Sequence, residues 1–227
     1  MGNSKKNCGS ERFLLLWLMA ASLFLFLACA QLSASVKLNP VDRYFFLVCN
    51  YFTIHFAVPI ALFISLFGTA VFLIPAYILI VHFLIKTGRE KYAVLVITTA
   101  TTSLLSGWLL KYIFRRHRPP MPLVQGAGWY SFPSGHALGA FTFSGICIFL
   151  LWQSQIRRSR KRSLSFLFFA FGSAIGLSRI YLHVHYATDV IGAMFFSVFL
   201  VLSMYTIFQI VYGEKLHHHE ERIQSFN

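Results

Sequence analysis

From Tyr44 to Ile85 the chain runs for 42 residues without a single Lys, Arg, Asp or Glu. That is more than the roughly 20 residues needed to cross a hydrocarbon core. Lipid offers no water to an unpaired backbone, so a run of this kind has to be helical. The rest of the chain fits the same solvent: 57% of its 227 residues are hydrophobic and 12% charged, against about a quarter charged in soluble domains. The sequence predicts an all-α integral membrane bundle with no soluble domain.

A net charge of +13 would suit a nucleic-acid binder if the cations clustered on one surface. They lie instead in short segments between apolar runs, where Lys and Arg set membrane orientation. Membrane lipids are the expected partners, and no nucleic acid. Cys8, Cys29, Cys49 and Cys147 show no CxxC spacing, so neither a disulfide framework nor a zinc site is indicated.

Six spans follow, at about 13–33, 59–85, 92–112, 136–155, 163–181 and 189–212, making one domain over 1–227. The first could be read as a signal peptide, because Ala28-Cys29-Ala30 resembles a cleavage site. Its apolar run, however, exceeds the 7 to 15 residues usual for such a core. The 42-residue run is divided unequally. The segment from Asn39 to His55 carries Pro40, Asp42, Arg43, Asn50 and several aromatics, which suits an interfacial helix between spans one and two. The remainder is span two, with a kink expected at Pro75. Two full spans there would make seven in all.

With six spans both termini share a face. The N-terminus, the segments near 86–91 and 157–162, and the tail hold 13 of the 20 Lys and Arg. That bias places this face in the cytoplasm and the other outside.

Three polar segments fall at span ends on the outer face. The first, Lys111 to Pro119, sets Lys111 and Arg118 seven positions apart, able to converge on one anion. Arg118 adds the planar fork that matches phosphate oxygens. Arg115 and Arg116 read as interfacial anchors that snorkel toward headgroups. The second, Pro133-Ser134-Gly135-His136, opens the fourth span. Ser134 can cap that helix, Gly135 lets backbone approach a ligand, and a helix N-terminus attracts anions. His136 there could donate a proton to a leaving oxygen.

The third segment runs from Ser178 and Arg179 to His185 and Asp189. Four residues apart, His185 and Asp189 share a face if the sixth helix begins near His185, so the carboxylate can hold one ring nitrogen and free the other. Asp189 is also the one carboxylate between Glu90 and Glu214. An ionisable group beside a membrane span is a functional candidate by default. His183 is off that face and is left out of the site. One carboxylate among so many cations disfavours bridging metals, which take several oxygen ligands; no metal and no cofactor are expected.

In order and spacing these three segments resemble the signatures of the type 2 phosphatidic acid phosphatase family. The motifs cover 111–189, with no departure at a motif position. The resemblance implies that His185 attacks phosphorus to form a phosphohistidine, that Asp189 orients it, and that His136 protonates the departing oxygen. It also implies that Lys111, Arg118, Ser134, the Gly135 amide and Arg179 hold the phosphoryl oxygens. Among bacterial relatives it allows undecaprenyl pyrophosphate, phosphatidylglycerophosphate, phosphatidate or lipid A 1-phosphate as substrate, a prenyl pyrophosphate being preferred. A lipid phosphotransferase and an anion channel or transporter are the competing readings. Vanadium-dependent haloperoxidases resemble the same motifs but on soluble scaffolds. The sequence specifies no oligomeric state.

Overall fold

The structure is a computed structural model and describes residues 2–34, 38–51, 57–124, 128 and 130–224, with side chains described from 12 to 212 within these. Residues 52–55 of the predicted interfacial segment, Gly126, and the side chains of Lys5, Lys6 and His217 to His219 lie outside this set. Eight helices are described: α1 (Gly2–Ser33), α2 (Pro40–Tyr51), α3 (Ala57–Leu66), α4 (Ala70–Lys86), α5 (Glu90–Phe114), α6 (Gly135–Trp152), α7 (Arg158–Tyr181) and α8 (Ala187–Gln224). Six stretches are long and apolar enough to cross a membrane: Arg12–Ser33, Ala57–Lys86, Glu90–Phe114, Gly135–Trp152, Arg158–Tyr181 and Ala187–Tyr212. The protein is a six-span integral membrane bundle, with Phe, Leu and Ile exposed along its outer faces as lipid requires.

Three boundaries differ from the sequence reading. The second span is not one helix kinked at Pro75; Pro75 sits inside α4, and the break falls at residues 67–69 between α3 and α4. Tertiary contact sets it. A Cβ at Gly68 would stand 2.6 Å from Ile175 Cγ2 and 3.2 Å from both Cβ and the carbonyl of His136, so only glycine passes without a shift. The basic segment at 157–162, outside the fifth span expected at 163–181, is mostly helix, since α7 starts at Arg158. The expected short polar tail is likewise the helical end of α8.

α2 begins as its sequence dictates. Pro40 takes the first helical position, and the Asn39 side chain accepts from the Asp42 amide at 2.9 Å while its Nδ2 donates to Asp42 Oδ2 at 2.6 Å. This reciprocal cap holds Asp42 inward, with 1% exposure. α2 packs on α7 and α8.

The core of the bundle is α6, wrapped by α5, α7 and α8, with α1 against α8. Close approach depends on small residues: a Cβ at Gly172 would meet the Phe141 ring at 2.8 Å, and one at Gly176 would meet Val190 Cγ1 at 2.6 Å. The C-terminal ends of α5 and α7 and the N-terminal ends of α6 and α8 therefore come together at one end of the bundle.

Candidate functional site

That shared end holds all three polar segments. Phe132 anchors the loop before α6: fully buried, it stacks on Phe26 at 5.7 Å and meets Phe114 edge-on at 5.0 Å. Beside it Ser134 N donates to the Asp189 carbonyl at 3.1 Å, tying the start of α6 to the start of α8. The nitrogen Nζ of Lys111, in the last turn of α5, reaches across to the Tyr130 and Ser131 carbonyls at 2.8 and 3.3 Å. Arg118 donates through Nη1 to the Val184 carbonyl at 2.6 Å and through Nη2 to the Gly128 carbonyl at 3.0 Å.

At the centre His185, 3% exposed, precedes α8 in a turn whose amides bond back to the Arg179 carbonyl. Its Nδ1 lies 3.3 Å from Asp189 Oδ2 and 3.3 Å from Ser131 Oγ. Its Nε2 lies 3.2 Å from Arg118 Nη1. A guanidinium can only donate, so Nε2 carries the lone pair and the ring proton sits on Nδ1, toward Asp189. Burial, working against the pull of Asp189, pushes His185 down to about 4; the ring is neutral at physiological pH. The helix begins at Ala187, two residues later than the sixth helix needed for the expected shared face, yet the turn still delivers the pair.

The remaining predicted residues ring the open side of this pair. Arg179 donates through Nη1 to Ser65 Oγ at 2.5 Å, and its Nε has no hydrogen-bond partner. Arg179, Arg118 and Lys111 are the charged neighbours of His136, with the His185 ring beside them. Ser134 holds the N-cap position of α6, but its hydroxyl makes no capping bond. It is buried with no partner at all, which leaves its donor and acceptor for a ligand. A Cβ at Gly135 would find only Lys111 Cε, at 3.8 Å. Nothing in the protein demands glycine there, so the space over the helix N-terminus is open.

Lys111, Arg118, Gly135 and His136 form the head of a cleft of about 1000 Å³. The cleft continues between α4 and α5 past Leu73, Tyr77, Ile97 and Leu104 to Ile85 at the far end of α4. A polar, cationic head thus opens into a long apolar trough.

Sequence reasoning misplaced Arg116. It is no surface anchor: its side chain is 9% exposed and its two nitrogens grip Asp42 Oδ2 and Asp189 Oδ1, each at 2.5 Å. Burial works against this charge, but Asp189 and Asp42 hold the guanidinium above its ordinary value. Three further participants were missed. Ser131 Oγ donates to Asp189 Oδ2, Thr188 bonds both Asp42 and Arg116, and Asp42 brings a second carboxylate to a site thought to hold one. A lone acid in an apolar segment was the available signal for Asp42. Among the described residues no three His, Cys, Asp or Glu are grouped to hold a metal.

The bundle and this end define an integral membrane protein with a cationic, histidine-bearing cleft open to an apolar trough. Residues 91–212, more than half the chain, match the profile of the PAP2 superfamily, and the chain belongs to that family. It is 31% identical over 137 residues to phosphatidylglycerophosphatase B of Bacillus subtilis, covering 60% of this chain and 66% of that protein. It is 28% identical over 148 residues to the putative undecaprenyl-diphosphatase YbjG of Escherichia coli, covering 62% and 67%. The chain thus spans about two thirds of the length of these curated relatives. The crystal structure of a transmembrane PAP2 type phosphatidylglycerolphosphate phosphatase from Bacillus subtilis superposes with a TM-score of 0.76. At 23% identity, that alignment covers 84% of this chain and 96% of the other.

Proposed function

We propose that this chain is a metal-independent lipid phosphate or pyrophosphate phosphatase that works through a phosphohistidine on His185. One observation carries the reading: His185 Nε2 presents a lone pair to the cationic head of the cleft while Nδ1–H is held by Asp189. A neutral histidine so oriented is a nucleophile. Its Nε2 attacks phosphorus in line, the bond to the lipid-side oxygen breaks, and His136 supplies the proton that oxygen takes. Water then attacks the phosphohistidine, gives its proton back to His136, and releases phosphate and His185.

Lys111, Arg118, Arg179, the Ser134 hydroxyl and the Gly135 amide hold the three phosphoryl oxygens. Phosphoryl transfer is accelerated mainly by such placed charge. The donor set suits an oxyanion rather than a metal, because both nearby carboxylates are already engaged by Arg116, Thr188 and Ser131. The whole of 1–227 acts as one membrane phosphatase domain around the 111–189 core.

The apolar trough favours a substrate whose phosphate sits at the head and whose chain lies between α4 and α5. The relatives named as acting on phosphatidylglycerophosphate and undecaprenyl diphosphate point to substrates of this kind, and we infer a prenyl pyrophosphate or similar lipid. The Lys and Arg bias favours the outer face for the site, and with bacterial relatives among the matches we infer a bacterial inner membrane.

The test is phosphate release by purified protein, with EDTA present, across prenyl pyrophosphate, phosphatidylglycerophosphate, phosphatidate and lipid A 1-phosphate, beside His136→Ala and His185→Ala. The reading expects EDTA-insensitive release that both variants abolish. Loss with EDTA would overturn metal independence, and stoichiometric transfer to another lipid without release would overturn hydrolysis.

A further inference from the structure

We propose that Arg116 and Asp42 are positioning residues, forming with Asp189 a buried relay that fixes the His185–Asp189 pair and couples α2 to it. The inference rests on the reading of His185 as nucleophile and adds two residues to that machinery.

Asp189 has no exposure, and its two oxygens are divided. Oδ2 receives His185 Nδ1, Ser131 Oγ and the Tyr186 amide. Oδ1 receives Arg116 Nη1. The first group sets where the imidazole points; Arg116 sets the rotation of the carboxylate plane that the imidazole follows.

Arg116 is fixed in turn on every side. Its Nη2 is held by Asp42, its Nη1 also reaches Thr188 Oγ1 at 2.8 Å, and its guanidinium lies 4.1 Å from the centre of the Tyr186 ring. Only a planar fork can bridge two carboxylates in this way; an ammonium is a single point.

Asp42 closes the relay. It accepts from the Thr188 amide at 2.8 Å, from Thr188 Oγ1 and from Asn39 Nδ2, so it also caps the N-terminus of α8, where negative charge is favoured. Two carboxylates and one guanidinium buried together carry a desolvation cost that apolar side chains of equal volume would avoid. Orientation of the pair is what such an arrangement supplies. It makes the seat of α2, a helix containing none of the proposed phosphate ligands, a determinant of turnover.

The charges facing His185 are Asp189 from α8, Arg118 and Lys111 from the α5 side and His136 from α6; His183 and Asp42 share with it a small void beneath the ring. Arg116 and Asp42 act on His185 through Asp189, whose carboxylate Arg116 grips together with that of Asp42: removing Arg116 takes positive charge from beside Asp189, and removing Asp42 takes negative charge. The two changes therefore move the titration of His185 in opposite directions. That is a signature a merely structural role does not produce.

Steady-state kinetics of Arg116→Gln, Arg116→Lys and Asp42→Asn beside wild type, on one lipid phosphate in vesicles from about pH 2.5 to 8 so that a limb near 4 can be followed in both directions, test the proposal. Expected is a kcat loss of about 10- to 100-fold for Arg116→Gln, by analogy with the loss when a residue orienting a metal-bound histidine is removed, with KM within about threefold. The acid limb should move up by about one pH unit in Arg116→Gln and down in Asp42→Asn, and Arg116→Lys should recover part of kcat. The substrate's own titration is common to all three. Wild-type kcat in Arg116→Gln, or equal losses with the limb unmoved, would overturn the relay. If Arg116→Gln does not accumulate as folded protein, Asp42→Asn carries the limb test with the charge-conserving Arg116→Lys as its unshifted control, and an unmoved limb in Asp42→Asn overturns the relay. Activity surviving His185→Ala would instead refute the nucleophile assignment on which the relay rests.

Discussion

Replacing Asp189 by Asn conserves shape and removes one charge from a carboxylate with no exposure. The carboxylate accepts four hydrogen bonds, from His185, Ser131, the Tyr186 amide and Arg116. An amide has one oxygen to offer and one NH2 to place. If the oxygen faces Arg116, the NH2 meets the Tyr186 N–H and can donate to His185 Nδ1. The ring proton then moves to Nε2, where it occupies the attacking lone pair. If the oxygen faces His185, the NH2 opposes a buried guanidinium, donor against donor.

The first arrangement costs catalysis and the second costs stability. An orienting carboxylate changed to its amide in hydrolase triads lowers kcat about 10⁴-fold. A lost hydrogen bond to a charged partner costs about 1.5 to 3 kcal/mol. The expected outcome for Asp189→Asn is a kcat loss of about 10³ to 10⁴ with KM little changed, and a melting temperature in detergent lowered by several degrees. Phosphate release under saturating lipid, normalised to folded protein by gel filtration, measures it. Activity within tenfold of wild type would refute the reasoning, because it would mean that His185 needs no orienter.

Three other outcomes follow from the geometry. Gly135→Ala adds a Cβ that meets no protein atom closer than 3.8 Å but enters the space a phosphoryl group would fill. Its melting temperature should match wild type while kcat/KM falls about tenfold or more. Gly68→Val forces a branched side chain against Ile175 and the backbone of His136. Overpacking of about 1–3 kcal/mol should lower the melting temperature and displace His136, so phosphate release falls as well. Burial holds His185 at about 4 in the folded protein against an ordinary 6.5. The unfolded chain therefore binds the extra proton between those values. The stability His185 contributes is full above pH 6.5 and lost as pH falls toward 4, and the melting curve of His185→Gln should be flatter over that window.

What the sequence made legible follows from the solvent. Apolar runs of span length announce six helical spans, because lipid leaves the backbone no other choice. Lys111, Arg118, Arg179, His136, His185 and Asp189 are polar groups at span ends on one face; His185 with Asp189 stands out by spacing, whereas Lys111 and Arg118 carry weight only beside the other two segments. The break at 67–69 was not legible, since it depends on Gly68 meeting His136 and Ile175 across the bundle, whereas Pro75 is the local feature that attracts notice. Arg116 was not legible for a related reason. A run of Arg at a span end ordinarily snorkels, and its partner Asp42 lies 74 residues earlier in the chain. Nor does spacing show that the Ser134 hydroxyl, in the N-cap position, is left without a bond.

The central claim is a covalent bond between His185 Nε2 and phosphorus. Rapid mixing of purified protein with a lipid phosphate labelled on its transferable phosphoryl group, quenched in alkali, tests it directly. The account predicts a labelled protein stable to base and released by acid, the behaviour of a phosphoramidate, and no label in His185→Ala. Phosphate release at the wild-type rate by His185→Ala, or the same label on that variant, would contradict it.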